Sequence, residues 1–211
     1  NVNNNGTSLT AADYVAKWDG SNWSALGSNG AGGGSLSGQV NAIAISGTDV
    51  YVGGAFTNVN NGGTSLPEAD YIAKWDGTNW SALGSDGAGN GSLNNSVFAI
   101  AISGTDVYVG GGFTNVNNNG TSLTAADYVA KWNGSAWSAL GSNGASNGSL
   151  SATVYAIAIS GTDVYVGGDF ANVNNNRTSL PGADYIAKWN GSAWSALGSD
   201  GAANGWLNYT V

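Results

Sequence analysis

The chain repeats itself at a register of 57 residues without a single insertion. "NVNNNGTSL" at Asn1 returns as "NVNNGGTSL" at Asn58, "NVNNNGTSL" at Asn115 and "NVNNNRTSL" at Asn172. Three full units span 1–57, 58–114 and 115–171, and a partial fourth spans 172–211, with Val211 aligning with Val40, Val97 and Val154. "TDVYVGG" therefore occurs three times, at Thr48, Thr105 and Thr162, against four copies of "AKWDG" or "AKWNG". A fixed period of this order marks a propeller, a solenoid or an array, because one unit cannot bury its apolar faces alone. Substitutions among the copies cross one another. Thr10 and Thr124 oppose Pro67 and Pro181, whereas Asp19 and Asp76 oppose Asn133 and Asn190, a pattern expected of recent amplification and exchange.

Within one unit no helical period exists. "NAIAIS" from Asn41 and "DVYVGG" from Asp49 read as strands joined by a short turn; "DYVAKW" from Asp13 and "WSALG" from Trp23 read as two more. Val, Ile, Tyr and Trp fill these segments, and Gly and Asn punctuate them. Both faces of the strands are apolar, since Val50 and Val52 lie opposite Tyr51, and Tyr14 and Trp18 lie opposite Val15. A sheet of that kind must be covered on both sides. With no helix available, sibling sheets are expected to cover it. Four short strands per unit match one blade of a β-propeller, and a β-array or solenoid is the alternative.

"VYVGG", a long polar segment, and then "YVAKWDGSNW" resemble the kelch-type repeat. Gly53 and Gly54 stand at its double glycine, Trp18 at its aromatic and Trp23 at its Trp; Gly110 and Gly111, and Gly167 and Gly168, repeat the first element, and the aromatic pair recurs in every unit. The unit is longer than usual and its turn between the aromatic pair is shorter. "KWDGSNWSALG" is similar to propeller repeats of large secreted or surface-anchored bacterial repeat proteins. The resemblance implies an all-β, kelch-like propeller of four-stranded antiparallel blades, and it fixes fold better than activity. A closed ring of six to eight blades would need roughly 340 to 460 residues at this period. The chain is thus expected to be an incomplete ring or a fragment of a larger propeller, or a protomer that self-assembles through incomplete terminal blades. The absence of methionine, even at position 1, favours a processed or excised segment.

Composition removes several function classes. Net charge is −8 from five basic and thirteen acidic residues, with no basic stripe to displace counterions from phosphate, so no nucleic-acid partner is expected. The longest apolar run, "VFAIAI" from Val97, has strand length and cannot span a membrane as a helix. Cys and His are both absent, which removes thiolate nucleophiles, disulfides, and the commonest general base and metal ligand. Charged residues make up only 9% of the chain while 42% is hydrophobic, which excludes disorder.

In an antiparallel meander the short links gather at one rim and the long Asn/Gly-rich segments at the other, where binding is expected. Four equivalent amides, Asn3, Asn60, Asn117 and Asn174, are the candidate ligand-binding side chains. Trp206, which replaces Ser35, Ser92 and Ser149 of the other units, is the candidate stacking aromatic. The paired Trp18 and Trp23 and their copies are expected in the sheet core. No catalytic residue and no metal ligand is assigned. Calcium is the metal such oxygen-rich loops would favour, but "NVNNNG" lacks carboxylates and is expected to form a neutral turn. Asp13 and Lys17, repeated in all four units, are expected to form a structural ion pair or a strand-end cap. Sequons such as Asn22, Asn79 and Asn94 are frequent, as the composition makes inevitable. The expectation is a non-enzymatic extracellular or cell-surface scaffold for adhesion, meeting protein or glycan partners through the loop face; a multivalent lectin is the alternative.

Overall fold

A computed structural model describes residues 2–202 and 204–207; Val211 lies outside the described residues. All regular structure among the described residues is β. The first unit contributes β1 (Val2–Asn4), β2 (Thr7–Leu9), β3 (Ala16–Trp18), β4 (Trp23–Ala25), β5 (Val40–Ser46) and β6 (Asp49–Gly54). The second repeats them as β7 (Val59–Asn61), β8 (Thr64–Leu66), β9 (Ile72–Trp75), β10 (Trp80–Ala82), β11 (Val97–Ser103) and β12 (Asp106–Gly111). The third gives β13 (Val116–Asn118), β14 (Thr121–Leu123), β15 (Val129–Trp132), β16 (Trp137–Ala139), β17 (Val154–Ser160) and β18 (Asp163–Gly168). The partial unit gives β19 (Val173–Asn175), β20 (Thr178–Leu180), β21 (Ile186–Trp189) and β22 (Trp194–Ser195).

Each four-stranded sheet straddles a unit boundary. Three four-stranded antiparallel meanders form, in the orders β5-β6-β9-β10, β11-β12-β15-β16 and β17-β18-β21-β22, and β3-β4 stand as a two-stranded sheet before them. The segments between β6 and β9 and their copies were expected as plain loops. They instead fold into two-stranded hairpins, β7-β8, β13-β14 and β19-β20, with β1-β2 as the first. The cause is local: the turn residues Asn119 (φ 49°) and Gly120 (φ 88°) adopt the left-handed backbone of a type I′ hairpin, which Asn-Gly favours.

The sheets cover one another as their two-sided apolar pattern requires. The double glycine makes the contact close. A Cβ on Gly53 would strike the Val97 side chain of the next sheet, and one on Gly54 would strike the Gln39 carbonyl of its own. That carbonyl accepts from the Ala55 amide at 2.8 Å, just ahead of a β-bulge between Val40 and Ala42 where β5 loses its register with β6. The other tie is an indole. Trp80 Nε1 donates to the Leu26 carbonyl of the preceding unit at 2.8 Å, Trp137 to Leu83 at 2.7 Å and Trp194 to Leu140 at 2.6 Å. Each of these Trp residues tilts against its hairpin partner, as Trp75 does with Trp80 at a centroid distance of 5.4 Å. Around them Phe56, Phe113 and Phe170 are fully buried with Val52, Val109 and Val166.

Candidate functional site

Short turns and long segments separate to opposite ends of each sheet. The β5–β6 and β9–β10 turns share one end by meander geometry, so the hairpins and the loops after β4, β10 and β16 share the other. These two kinds of segment lock together across unit junctions. Asn60 N donates to the Ser35 carbonyl, Asn117 N to Ser92 and Asn174 N to Ser149, each at 2.8 Å. Between loop and hairpin a cleft remains. At the second junction it is about 360 Å³ and is lined by Asp70, Tyr71, Asp86, Asn90, Ser92 and Asn117, among others. At the third it is about 340 Å³ and is lined by the residues one period on: Asp127, Tyr128, Asn143, Asn147, Ser149 and Asn174. The first junction has Gly33 where the others have Asn90 and Asn147.

The Asn run of the hairpin is divided into separate structural tasks. Asn58 sits at φ 66° and its Oδ1 accepts from the Ser65 hydroxyl and the Leu66 amide. Asn60 Oδ1 accepts from the Gly63 amide at 2.8 Å, as Asn3 does from Gly6 and Asn117 from Gly120. Asn61 bonds both the Trp80 amide and its carbonyl, tying the hairpin to β10. Asn174 breaks the series. Its Oδ1 is buried without a hydrogen-bond partner, because Arg177 stands in place of the turn glycine and donates its amide to the Asn143 carbonyl. The buried Ser92 and Ser149 hydroxyl oxygens, one at each cleft, also lack partners.

The two clefts differ in charge. Asp86 Oδ1 accepts from the Ala88 and Asn90 amides, and Oδ2 from the Asn90 side chain. The Asn90 side-chain and backbone donors, followed by Ala88, hold the Asp86 carboxyl below the usual carboxylate range. In the third cleft neutral Asn143 takes the same backbone role, accepting from Ala145 and Asn147. Asp70 and Asp127 are engaged at both oxygens. Asp127 accepts from Asn115 N at 2.9 Å and Gly148 N at 3.0 Å, clamping loop to hairpin.

That clamp corrects the expected partnership of Asp13 and Lys17 as it recurs downstream. Lys74 pairs with Asp49 at 3.1 Å, Lys131 with Asp106 and Lys188 with Asp163 at 3.0 Å. On β9 Lys74 lies opposite Tyr51, which puts Asp49 at the diagonal position of β6. The Asp49 carboxylate raises the Lys74 pKa. Asp70 and Asp127 cap backbone amides instead, the other half of the expectation.

Of the sequence-predicted residues, Asn117 and Asn174 line equivalent clefts at consecutive junctions, whereas Asn3 and Asn60 lie at other hairpins. Trp206 joins neither cleft. It is 70% exposed, lies against Gly198, and donates its Nε1–H to the Ser199 carbonyl. Tyr71 and Tyr128 were missed. Their φ values of 62° and 63° are uncommon for a bulky residue, and nothing in "ADY" announces them. Among the described residues no group of three or more acidic side chains is placed to hold a metal ion, and no helix is long and apolar enough to cross a membrane.

No protein-family model matches the chain, and no curated protein matches it. Among solved structures it is similar to the crystal structure of the computationally designed Ika8 protein. The identity is 15%, over 75% of this chain and 71% of that one, with a TM-score of 0.26. A likeness of that degree carries no inference about this chain.

Proposed function

We propose that the chain is a non-enzymatic repeat scaffold of kelch-like propeller blades, working outside the cell in adhesion or surface assembly. One observation carries the reading: a polar cleft recurs at equivalent positions of consecutive junctions on one rim. A catalytic centre needs one arrangement of groups and gains nothing from duplication, whereas a binding surface gains avidity from it. Most polar side chains at the junctions are occupied in holding loop to hairpin, as a scaffold requires. Tandem sheets with both faces apolar also suit extension into a longer array or ring.

The cleft chemistry favours a second reading within the first, that the partner is a glycan. Asn amides, Ser hydroxyls and a Tyr phenol are the groups that bind neutral hydroxyl-bearing ligands. The test is binding of the chain to immobilised neutral glycans and to surface proteins, against a Tyr71→Phe, Tyr128→Phe double variant. The substitution removes two hydroxyls and keeps both rings. Retention that drops at least tenfold in the double variant is expected. Retention unchanged by it would move the binding surface away from the clefts, and a chain found in the cytoplasm would end the extracellular reading.

A further inference from the structure

At the first three junctions the loop that leaves one unit is met by two parts of the next. The tip of the next hairpin donates to it: Gly62 N to the Ser28 carbonyl, Asn119 N to Ser85 and Asn176 N to Ser142, each at 2.8 Å. The indole pair of the next unit lies over the glycine just before that serine. A Cβ on Gly27 would touch Trp75 and Trp80, one on Gly84 would touch Trp132 and Trp137, and one on Gly141 would touch Trp189 and Trp194. The leucine ahead of the glycine is buried in consequence, as Leu26, Leu83 and Leu140 are.

The loop of the fourth unit is met by one of its own residues. Trp206 stands where Ser35, Ser92 and Ser149 stand in the other units, and Gly198 and Ser199 match Gly27 and Ser28. A Cβ on Gly198 would touch the Trp206 ring, and Trp206 Nε1–H is donated to the Ser199 carbonyl. One side chain thus supplies both contacts that a following unit supplies elsewhere, an aromatic ring on the glycine and a donor to the serine carbonyl. The cover is partial, since Leu197 is 41% exposed. The complementary parts are free in the first unit. Trp18 and Trp23 are both exposed. The Asn5 amide, which matches those of Gly62, Asn119 and Asn176, has no loop carbonyl to meet among the described residues.

We infer that the loop around Gly198 and Ser199 is a docking surface for the first unit of a second copy of this chain, and that Trp206 closes it from within. Continuity with the internal junctions selects the occupant. The first unit carries the hairpin and the indole pair that dock three times inside the chain, so a second copy remakes an interface the sequence already encodes. Trp206 and an incoming indole pair need the same seat on one glycine, so each excludes the other. The contact is heterologous, every copy carrying both halves, and it propagates head to tail unless the rotation closes a ring. It is independent of what the clefts bind.

Sedimentation velocity over a concentration series tests this with the unsubstituted chain, Trp206→Ser, Trp206→Phe, and Trp206→Ser combined with Trp23→Ala. Trp206→Ser restores the residue of the other three loops, and Trp23 lies at an exposed face, so neither change empties a packed core. Trp206→Ser is expected to lower the concentration at which assembly begins by roughly tenfold or more, and Trp23→Ala to reverse that gain, as truncation of a Trp at a packed contact does. Trp206→Phe keeps a ring over Gly198 and should begin to assemble later than Trp206→Ser. An onset unchanged by Trp206→Ser, or an onset earlier in Trp206→Phe than in Trp206→Ser, would overturn the closing role. Assembly of the Trp206→Ser chain that ignores Trp23→Ala would overturn docking through the first unit.

Discussion

Trp23 and Trp80 sit in nearly the same words, "KWDGSNWSALG" and "KWDGTNWSALG", yet Trp23 is 38% exposed and Trp80 only 2%. Both hairpins form and both indole pairs tilt alike, with centroids 5.4 Å apart. What differs is the preceding unit. Trp80 has the Leu26 carbonyl to bond and a loop to cover it, whereas among the described residues nothing stands before Trp23 in that role. Ile43, 51% exposed, shows the same contrast with Ile100, which packs into the core of the second four-stranded sheet. Local sequence makes the strand pair, and the neighbouring unit makes the core. This is the nearest-neighbour energetics of a repeat protein, in which interface terms decide stability.

The contrast is broken most severely at the interior indole. Trp137→Ala should cost about 3–5 kcal/mol in denaturant unfolding, and Trp23→Ala less than about 1 kcal/mol, because only the first vacates a packed junction. Equal costs would mean that the junction contributes little. Next comes the close approach of sheets. Gly110→Ala places a methyl group against Val154 and should destabilise by about 1–3 kcal/mol. Gly20→Ala has open space around the added carbon and meets only the backbone penalty of its φ of 102°, about 1–2 kcal/mol. Urea midpoints for the two variants separate packing from backbone strain.

A smaller effect separates the hairpins. Asn117→Ala deletes a made hydrogen bond and should cost about 1 kcal/mol, while Asn174→Ala removes an unpaired acceptor and should be neutral or slightly stabilising. Thermal melts of the two variants compare them directly. The smallest effect is that of pH. The depressed pKa of Asp86 gives a contribution that is complete above the ordinary carboxyl value of about 4 and is lost as pH falls through the folded-state value. Asn143 in the next unit has no such titration. Protection of the Asp86-loop amides, taken relative to their intrinsic exchange rate at each pH, should therefore fall on acidification more than that of the Asn143 loop, and Asp86→Asn should abolish the difference.

Period, strand positions and meander order were legible because Val, Ile and Tyr alternate in β5 and β6 and glycine marks their ends. Coverage of each sheet by its siblings was legible for a similar reason, since apolar residues lie on both faces of a chain without helices. The hairpins β7-β8, β13-β14 and β19-β20 were hidden because three-residue strands rich in Asn, Ser and Thr carry no hydrophobic alternation. The partner of Lys74 was hidden by distance along the chain: Asp70 is four residues away, but strand pairing brings Asp49 to it. Asn117 and Asn174 were found as residues, while their division between a satisfied and an unsatisfied site depends on one amide redirected by Arg177. Tyr71 and Tyr128 owe their place to a left-handed backbone that no residue pattern displays.

The interlocking of units is tested most directly by hydrogen exchange of the indole Nε1 protons, resolved by nitrogen-15 NMR across the nine Trp residues. Trp80, Trp137 and Trp194 should exchange slowly, each held by a carbonyl of the preceding unit, and Trp23 should exchange far faster. Protection of Trp23 equal to that of Trp80 would contradict the account, because the core would then be made within the unit rather than between units.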